Sequence, residues 1–449
     1  MSPAKKIKKP NYTLITACGF LGLIAIGSIL LSLPAATVRH TPTRFIDCVF
    51  TSASAVCITG LTPFDIFTHW SLLGQIVIIT LIQIGGLGFM TLISAFATFF
   101  KKSFSVTQKY LVMQSTGTME LGGLRKMLRK IVGLTFSFEL IGAVILAFRF
   151  LKITHTFSKA CYFGLFHSIS AFCNAGFDLC GIVTPSGSLE FFRNDAVVNL
   201  TVCFLIIVGG LGFLVWDNIL EHKLRFSKYD FHAKIVVVTT AALILFGTVF
   251  FFFSERSASM KGFGFSERLL SSFFQSVTLR TAGFSTVAQG KLSSAGFLVS
   301  LIFMAIGGAP GSTAGGIKVT TFAVFVLGMV SAVRGKREIR VFKRRFEDDA
   351  IAQASAVIGL FSACILIAVI IICTHDGLPV SKVLYESVSA AANVGLSASL
   401  TPLLSTLSKA VLSALMYFGR VGGFSLMILI AKSSQQSNAK RPVGRVLIG

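Results

Sequence analysis

The sequence predicts an all-α polytopic membrane protein, with eight bilayer-crossing helices and four shorter re-entrant half-helices around a central pore. Three observations predict it. The chain is too apolar for water, its apolar stretches come in two lengths, and one pattern of helix, half-helix, glycine turn and helix recurs four times. Of the 449 residues 53% are hydrophobic and only 13% charged, and the mean hydropathy is +0.79. A soluble chain of this length would carry about 25% charged residues. Those values exclude a soluble enzyme, a secreted disulfide scaffold and a disordered chain.

Long apolar stretches lie at 13–33, 72–99, 131–150, 196–216, 233–253, 292–330, 350–373 and 405–431. Each has the roughly 20 residues that a helix needs to cross about 30 Å of hydrocarbon. Weaker stretches at 46–58, 160–173, 267–280 and 380–392 are too short to cross. They read as half-helices that enter and turn back, which backbone survives only when buried in protein or facing water. The basic start followed by apolar residues to Leu33 reads as a retained first helix, because the apolar run is too long for a signal peptide.

Charge orients this layout. Lys and Arg number 41 against 18 Asp and Glu, a net charge of +23. Most of the basic residues fall in the N-terminus, in 100–130, 217–234 and 331–349, and in the tail. By the positive-inside rule these segments are cytoplasmic, as are both termini. Such an excess orients a membrane protein and is no sign of nucleic acid. The nine cysteines are scattered through apolar stretches without CxxC spacing, as small buried hydrophobes would be.

Each half-helix ends in the same pattern: SASAVCITGL (52–61), SISAFCNAGF (168–177), QSVTLRTAGF (275–284) and SVSAAANVGL (387–396). Ten residues before each glycine stands an aromatic: Phe50, Phe166, Phe273 and Tyr385. The glycines are 116, 107 and 112 residues apart, each close to a quarter of the chain. The second helix of each copy carries a glycine cluster: QIGGLGF (83–89), IVGGLGF (207–213), AIGGAPGSTAGGIK (305–318) and YFGRVGGF (417–424). The repeats run 1–101, 131–217, 233–331 (with a broken second helix) and 350–431, followed by a cytoplasmic tail at 432–449.

Four equivalent turns around one axis suggest a cation path. Glycine permits positive φ, so carbonyls near it can face a common line and replace the hydration shell of a K⁺-sized ion. The candidate filter is therefore Ile58, Thr59 and Gly60; Asn174, Ala175 and Gly176; Thr281, Ala282 and Gly283; and Asn393, Val394 and Gly395. In 305–318, Pro310 and the glycines Gly307, Gly308, Gly311, Gly315 and Gly316 should unwind the helix into a loop plugging the path below.

These turns, TLRTAGF (278–284) above all, and the small-residue break at 307–316 resemble the Trk/Ktr/HKT superfamily of potassium transporters. The resemblance spans essentially the whole chain and is nearest to the membrane subunit of bacterial Ktr systems. It implies one pore per chain, a homodimer, and a cytosolic nucleotide-binding regulatory ring of RCK type. It also implies that 307–316 is an intramembrane gating loop, that Arg420 is the family's gate arginine, and that Gly60 favours K⁺. Leu279 stands where Ktr-type members usually have Pro.

Other candidates carry less. Arg280 should hold the turns by bonding carbonyls, since a cation beside a K⁺ site would repel K⁺. Asp65 and Asp178 are candidate cation attractors outside or, equally, ordinary solvated loop acids. Glu139 should make a helix-to-helix hydrogen bond, and His167 and Glu386 should stabilise packing. No enzyme motif fits: Gly311 to Lys318 lacks the Gly-Lys pair of a phosphate loop, with Ile317 intervening. The reading is K⁺ uptake across a bacterial cytoplasmic membrane, driven by membrane potential, with Na⁺ dependence left open. No cofactor is expected, and the only other contacts expected are membrane lipids. The alternative is a secondary cation symporter with a midplane site. Such proteins usually show two inverted repeats, and these four copies run in one direction.

Overall fold

The computed structural model describes residues 12–88, 124–184, 187–223, 225–335, 338–347 and 349–422. Residues 89–101 and 423–431, expected to complete the first and last second helices, the tail 432–449 and Lys336-Arg337 lie outside the described residues.

Four long helices open the four units: Tyr12–Ser32, Leu124–Thr154, Phe231–Ser254 and Ala350–Asp376. Each contains a stretch long and apolar enough to cross a bilayer. Their outward faces expose large apolar side chains, among them Leu21, Ile26, Leu140, Phe246 and Ile370. A row of exposed aliphatics around a molecule is tolerable only in lipid. The half-helices follow at Phe45–Cys57, Phe157–Phe172, Phe265–Thr278 and Val380–Ala392. At 13 to 16 residues they span about 20–24 Å, short of a hydrocarbon core.

Between helices in lipid the hydrophobic drive is weak, so small residues and buried hydrogen bonds decide the packing. In the first three units a first-helix glycine makes room for a half-helix serine: Gly27 for Ser52, Gly142 for Ser168, Gly247 for Ser276. Each serine Oγ then donates to the carbonyl three residues before that glycine, on Ile24 (2.8 Å), Glu139 (2.6 Å) and Ile244 (2.9 Å). The fourth unit has no such glycine, and Ser387 Oγ makes no hydrogen bond among the described residues.

The units close into a ring. Each second helix packs on the half-helix of the next unit, and the helix of the fourth unit, Thr406–Val421, packs on the half-helix of the first. A buried ion pair ties this closure, Lys409 Nζ donating to Asp47 Oδ1 at 2.6 Å. Glu139 accepts two hydrogen bonds from Gln83 Nε2, at 3.0 and 3.2 Å, between first and second units. That is the helix-to-helix bond the sequence suggested.

The second helix of the third unit is broken, as the sequence suggested, and others also end where hydropathy gives an uninterrupted span. Leu72–Leu87, Ala196–Leu211 and Thr406–Val421 all end at a glycine with positive φ: Gly88 (+79°), Gly212 (+86°) and Gly422 (+88°). In the second unit the chain resumes as Phe213–His222 after a bend of 100°. In the third, Ser294–Ala305 and Val319–Val333 are separated by non-helical residues 306–318. Glycine permits the sign change at each break, whereas apolar content, which hydropathy reads, is unaffected by it. Lys318 accordingly precedes a helix instead of lying within one.

Candidate functional site: a four-glycine ring over an unwound segment

The half-helices converge with their C-terminal ends inward, and each ends in a left-handed residue: Ile58 (φ 60°), Asn174 (57°), Thr281 (67°) and Asn393 (56°). Two residues on, the glycines again take positive φ: 94° at Gly60, 70° at Gly176, 81° at Gly283 and 92° at Gly395. The residue between keeps negative φ. In three units its N–H donates to the carbonyl five residues back, closing the helix end as a Schellman turn: Thr59 to Ser54 (2.7 Å), Ala175 to Ser170 (2.8 Å) and Val394 to Ser389 (2.8 Å). The third unit is tighter, Ala282 N–H donating to Thr278 O at 3.0 Å. Leu279 N–H also donates there, to Gln275 O at 3.2 Å, a bond that Pro would lack.

Asparagine tolerates the left-handed region well, and its amide pins the turn. Asn393 Nδ2 donates to Met416 O (2.9 Å) and to Thr59 Oγ1 of the neighbouring unit (3.0 Å). Asn174, with its amide turned to donate, reaches Ile206 O at 3.2 Å. Ile58 is β-branched and costs about 1–2 kcal/mol in that conformation. Strain of this kind collects where geometry is held for function.

The four turns meet. A β-carbon on any of the glycines would strike the backbone of its neighbours: at Gly176 it would stand 2.7 Å from Ala282 O, and at Gly283 2.6 Å from Val394 O. At Gly60 it would meet Ala175 O, and at Gly395 Thr59 O. Each glycine therefore faces the carbonyl just before the glycine of the next unit, in the closed order one, two, three, four, one. All four candidate triplets come together in this ring.

The glycine clusters sit beneath it for a packing reason. Gly85 makes room for Val56 O, Gly209 for Phe172 O and Gly419 for Ala391 O, each carbonyl lying four residues before its ring glycine. This contact requires a glycine under each of these three turns. In the third unit Gly307 instead makes room for Gly315 O of the unwound segment. That segment lies directly under the ring: a β-carbon on Gly315 would stand 2.9 Å from Ala392 O, and Thr313 Oγ1 donates to Phe172 O at 3.1 Å. Thr313 N–H donates to Gly209 O at 3.2 Å. Arg420 joins the segment to the first unit, its Nη1 donating to Thr313 O at 2.7 Å and its Nη2 to Gly85 O. Gly307, Gly308, Gly311, Gly315, Gly316 and Arg420 thus form one layer. A cavity of about 480 Å³ opens beside it, lined by Gly316, Lys318, Phe361, Phe418 and Arg420.

Above the ring lies an outer cavity of about 550 Å³ that contains all four glycines, Asp65, Asp178 and Glu190, and also Lys291 and Lys382. Asp65 Oδ1 caps a short helix through Thr68 N–H at 2.9 Å, and Asp178 Oδ1 accepts from Cys180 N–H at 2.9 Å. Both are structural acids on a cavity wall. Arg280 turns away from the filter carbonyls expected for it and donates to Thr240 Oγ1 at 3.3 Å on the first helix of its unit. His167 and Glu386, both nine residues before their glycine, reach the chain beyond the ring. Leu179 N–H donates to His167 Nε2 (3.2 Å), and Glu386 accepts from Leu400 N–H (3.3 Å) and Thr401 Oγ1 (3.2 Å). Sequence reasoning left these two as packing residues; their shared offset from the ring glycine was the signal.

Four units around a backbone ring, with apolar helices outside, define a multi-pass membrane transport protein. A family model described as TrkH, cation transport protein, matches residues 2–441. The chain belongs to this family of cation transport proteins. It is 35% identical over 443 residues to the potassium/sodium uptake protein NtpJ of Enterococcus hirae, covering 97% of this chain and 96% of the relative. It is 34% identical to the Ktr system potassium uptake protein B of Bacillus subtilis, with the same coverage. Among solved structures, that of the potassium transporter TrkH from Vibrio parahaemolyticus shares its fold, with a TM-score of 0.74 at 18% identity over 95% of this chain and 86% of that one.

Proposed function

We propose that the chain is the translocating subunit of a K⁺ uptake system in a bacterial cytoplasmic membrane, multi-pass and with both termini cytoplasmic. The observation that carries this reading is the ring, in which each glycine lies against the next unit's carbonyl. Carbonyls of Ile58, Thr59, Asn174, Ala175, Thr281, Ala282, Asn393 and Val394, with those of the glycines, would supply the oxygens that replace a cation's hydration shell. The half-helix C-termini carry partial negative charge toward the same axis, which favours a cation there. Membrane potential would drive entry, at about 2.3 kcal/mol per charge per 100 mV. The relatives named for potassium uptake support K⁺ as the cargo, and the name of the Enterococcus relative keeps Na⁺ in play.

In the same reading residues 307–316 are the gate. Hydrogen bonds tie the segment to other units: two from Thr313, Ala309 N–H to Gly210 O (2.9 Å), Phe213 N–H to Gly311 O (3.1 Å) and Arg420 to Thr313 O, while Lys318 Nζ donates locally to Ala314 O (2.7 Å). The two cations also place positive charge on the ion route until they move. Relatives named as parts of a Ktr system support a partner subunit; we assign it as a nucleotide-binding ring of RCK type acting on a homodimer of this chain. Purified protein in vesicles should take up ⁸⁶Rb⁺ down an imposed potential, and expression should restore growth of a K⁺-uptake-deficient strain at low K⁺. Absence of both would overturn the assignment.

A further inference from the structure

Behind the second ring turn, outside the ion path, His167, Asp178 and Cys180 place one ligand atom each within 4.8 Å of one another. His167 Nδ1 bonds Phe163 O at 2.8 Å, which assigns the proton to Nδ1 and leaves the Nε2 lone pair facing Cys180. Nε2 and Cys180 Sγ are 3.6 Å apart. Two tetrahedral ligands at Zn–N of about 2.1 Å and Zn–S of about 2.3 Å are separated by about 3.6 Å, so this pair already has a metal edge's length. A backbone carbonyl on the distal nitrogen is also the usual support of a ligating histidine. Asp178 lines the outer cavity, so a hydrated ion can reach the cluster from outside and keep water as a fourth ligand.

We propose that His167, Asp178 and Cys180 form an external site for a borderline or soft divalent cation such as Zn²⁺ or Cd²⁺. The mixed nitrogen, sulfur and carboxylate set selects such ions over alkali or alkaline-earth cations. On binding, the Cys180 thiol gives its proton to solvent and coordinates as thiolate. Leu179 N–H gives up its bond to His167 Nε2, and the Asp178 carboxylate rotates in to close the triangle. The bound ion would join the half-helix of the second unit to the chain two and four residues past its ring glycine, and so restrain the ring. It is an inhibitory site, and the binding itself does not depend on which ion the ring conducts.

The test uses the full chain purified in detergent, with Co²⁺ as a spectroscopic probe and Cd²⁺ as an inhibitor in vesicles. The parent should bind Co²⁺ with near-ultraviolet thiolate-to-metal charge-transfer absorption, and external Cd²⁺ should slow ⁸⁶Rb⁺ uptake. Cys180→Ser should lose both effects, whereas Cys161→Ser, at an exposed position, should retain them. Asp178→Asn keeps the thiolate absorption and should weaken apparent affinity about tenfold or more. Size-exclusion profiles check that the variants fold. Absence of the absorption in the parent, its persistence in Cys180→Ser, or an unchanged affinity in Asp178→Asn would each overturn the site.

Discussion

Replacing Gly60 with serine probes the ring at a position where any side chain is costly. Gly60 has a φ of 94°, and a β-carbon there would lie 3.3 Å from the α-carbons of both Gly176 and Gly395, and against Ala175 O. Left-handed backbone costs a non-glycine residue about 1–2 kcal/mol. Overpacking against backbone that cannot rotate away adds about 1–3 kcal/mol. The first unit can relieve this by turning φ negative, which swings the Thr59–Gly60 peptide and moves the Thr59 carbonyl off Gly395. If about 1.4 kcal/mol of the total is lost from K⁺ binding relative to Na⁺ binding, the preference falls tenfold. Uptake of ⁸⁶Rb⁺ and of ²²Na⁺ into vesicles should therefore converge in Gly60→Ser. A folded variant with the parent's ratio would refute a carbonyl filter at this turn.

Deleting Ser312 to Gly315 should raise basal ⁸⁶Rb⁺ flux, because it removes both Thr313 bonds to the second unit; Arg420→Gln should act in the same direction. Both changes also remove the Arg420 bond to Thr313 O; a hydrogen bond from a charged donor contributes about 1.5–3 kcal/mol, so its loss should change the held-to-released ratio by about tenfold or more. Unchanged flux in the deletion would return the segment to a static kink. Asp47→Asn should destabilise the folded chain by about 3–5 kcal/mol, because Lys409 is left charged and nearly enclosed, and thermal unfolding in detergent reads the loss directly. Charge reversal at Arg337 and Arg340 should weaken capture of the regulatory subunit in a pull-down while membrane insertion is unchanged. Arg337 lies outside the described residues; Arg340 is on an exposed hairpin, bonded to Glu338 Oε2 at 2.7 Å, so its reversal also repels Glu338. Equal binding would leave the cluster as a topology signal alone.

The sequence by itself determined the class of protein, the number of units and the half-helices to within about three residues at each end. Those features follow from apolar length and from a short pattern repeated at near-equal spacing, both of which are local. It also marked the four glycine turns, because positive φ restricts residue choice wherever it occurs. Only the tertiary structure decided why a glycine cluster accompanies each turn. Gly85, Gly209 and Gly419 each receive a half-helix carbonyl of the same unit, from Val56, Phe172 and Ala391, a contact between segments distant in sequence. Hydropathy missed the break at Gly212 because an apolar helix and an apolar bend have the same composition. A backbone filter by itself makes no demand on the side chains before the ring glycines. Asn174 and Asn393 instead hold their turns through carbonyls on the second helices. The resemblance marked Arg420 beside the loop, but its partners were out of reach, because Thr313 and Gly85 come from two other units. A buried guanidinium settles wherever unpaired carbonyls are exposed, and those exist only once glycine has broken the helices around it.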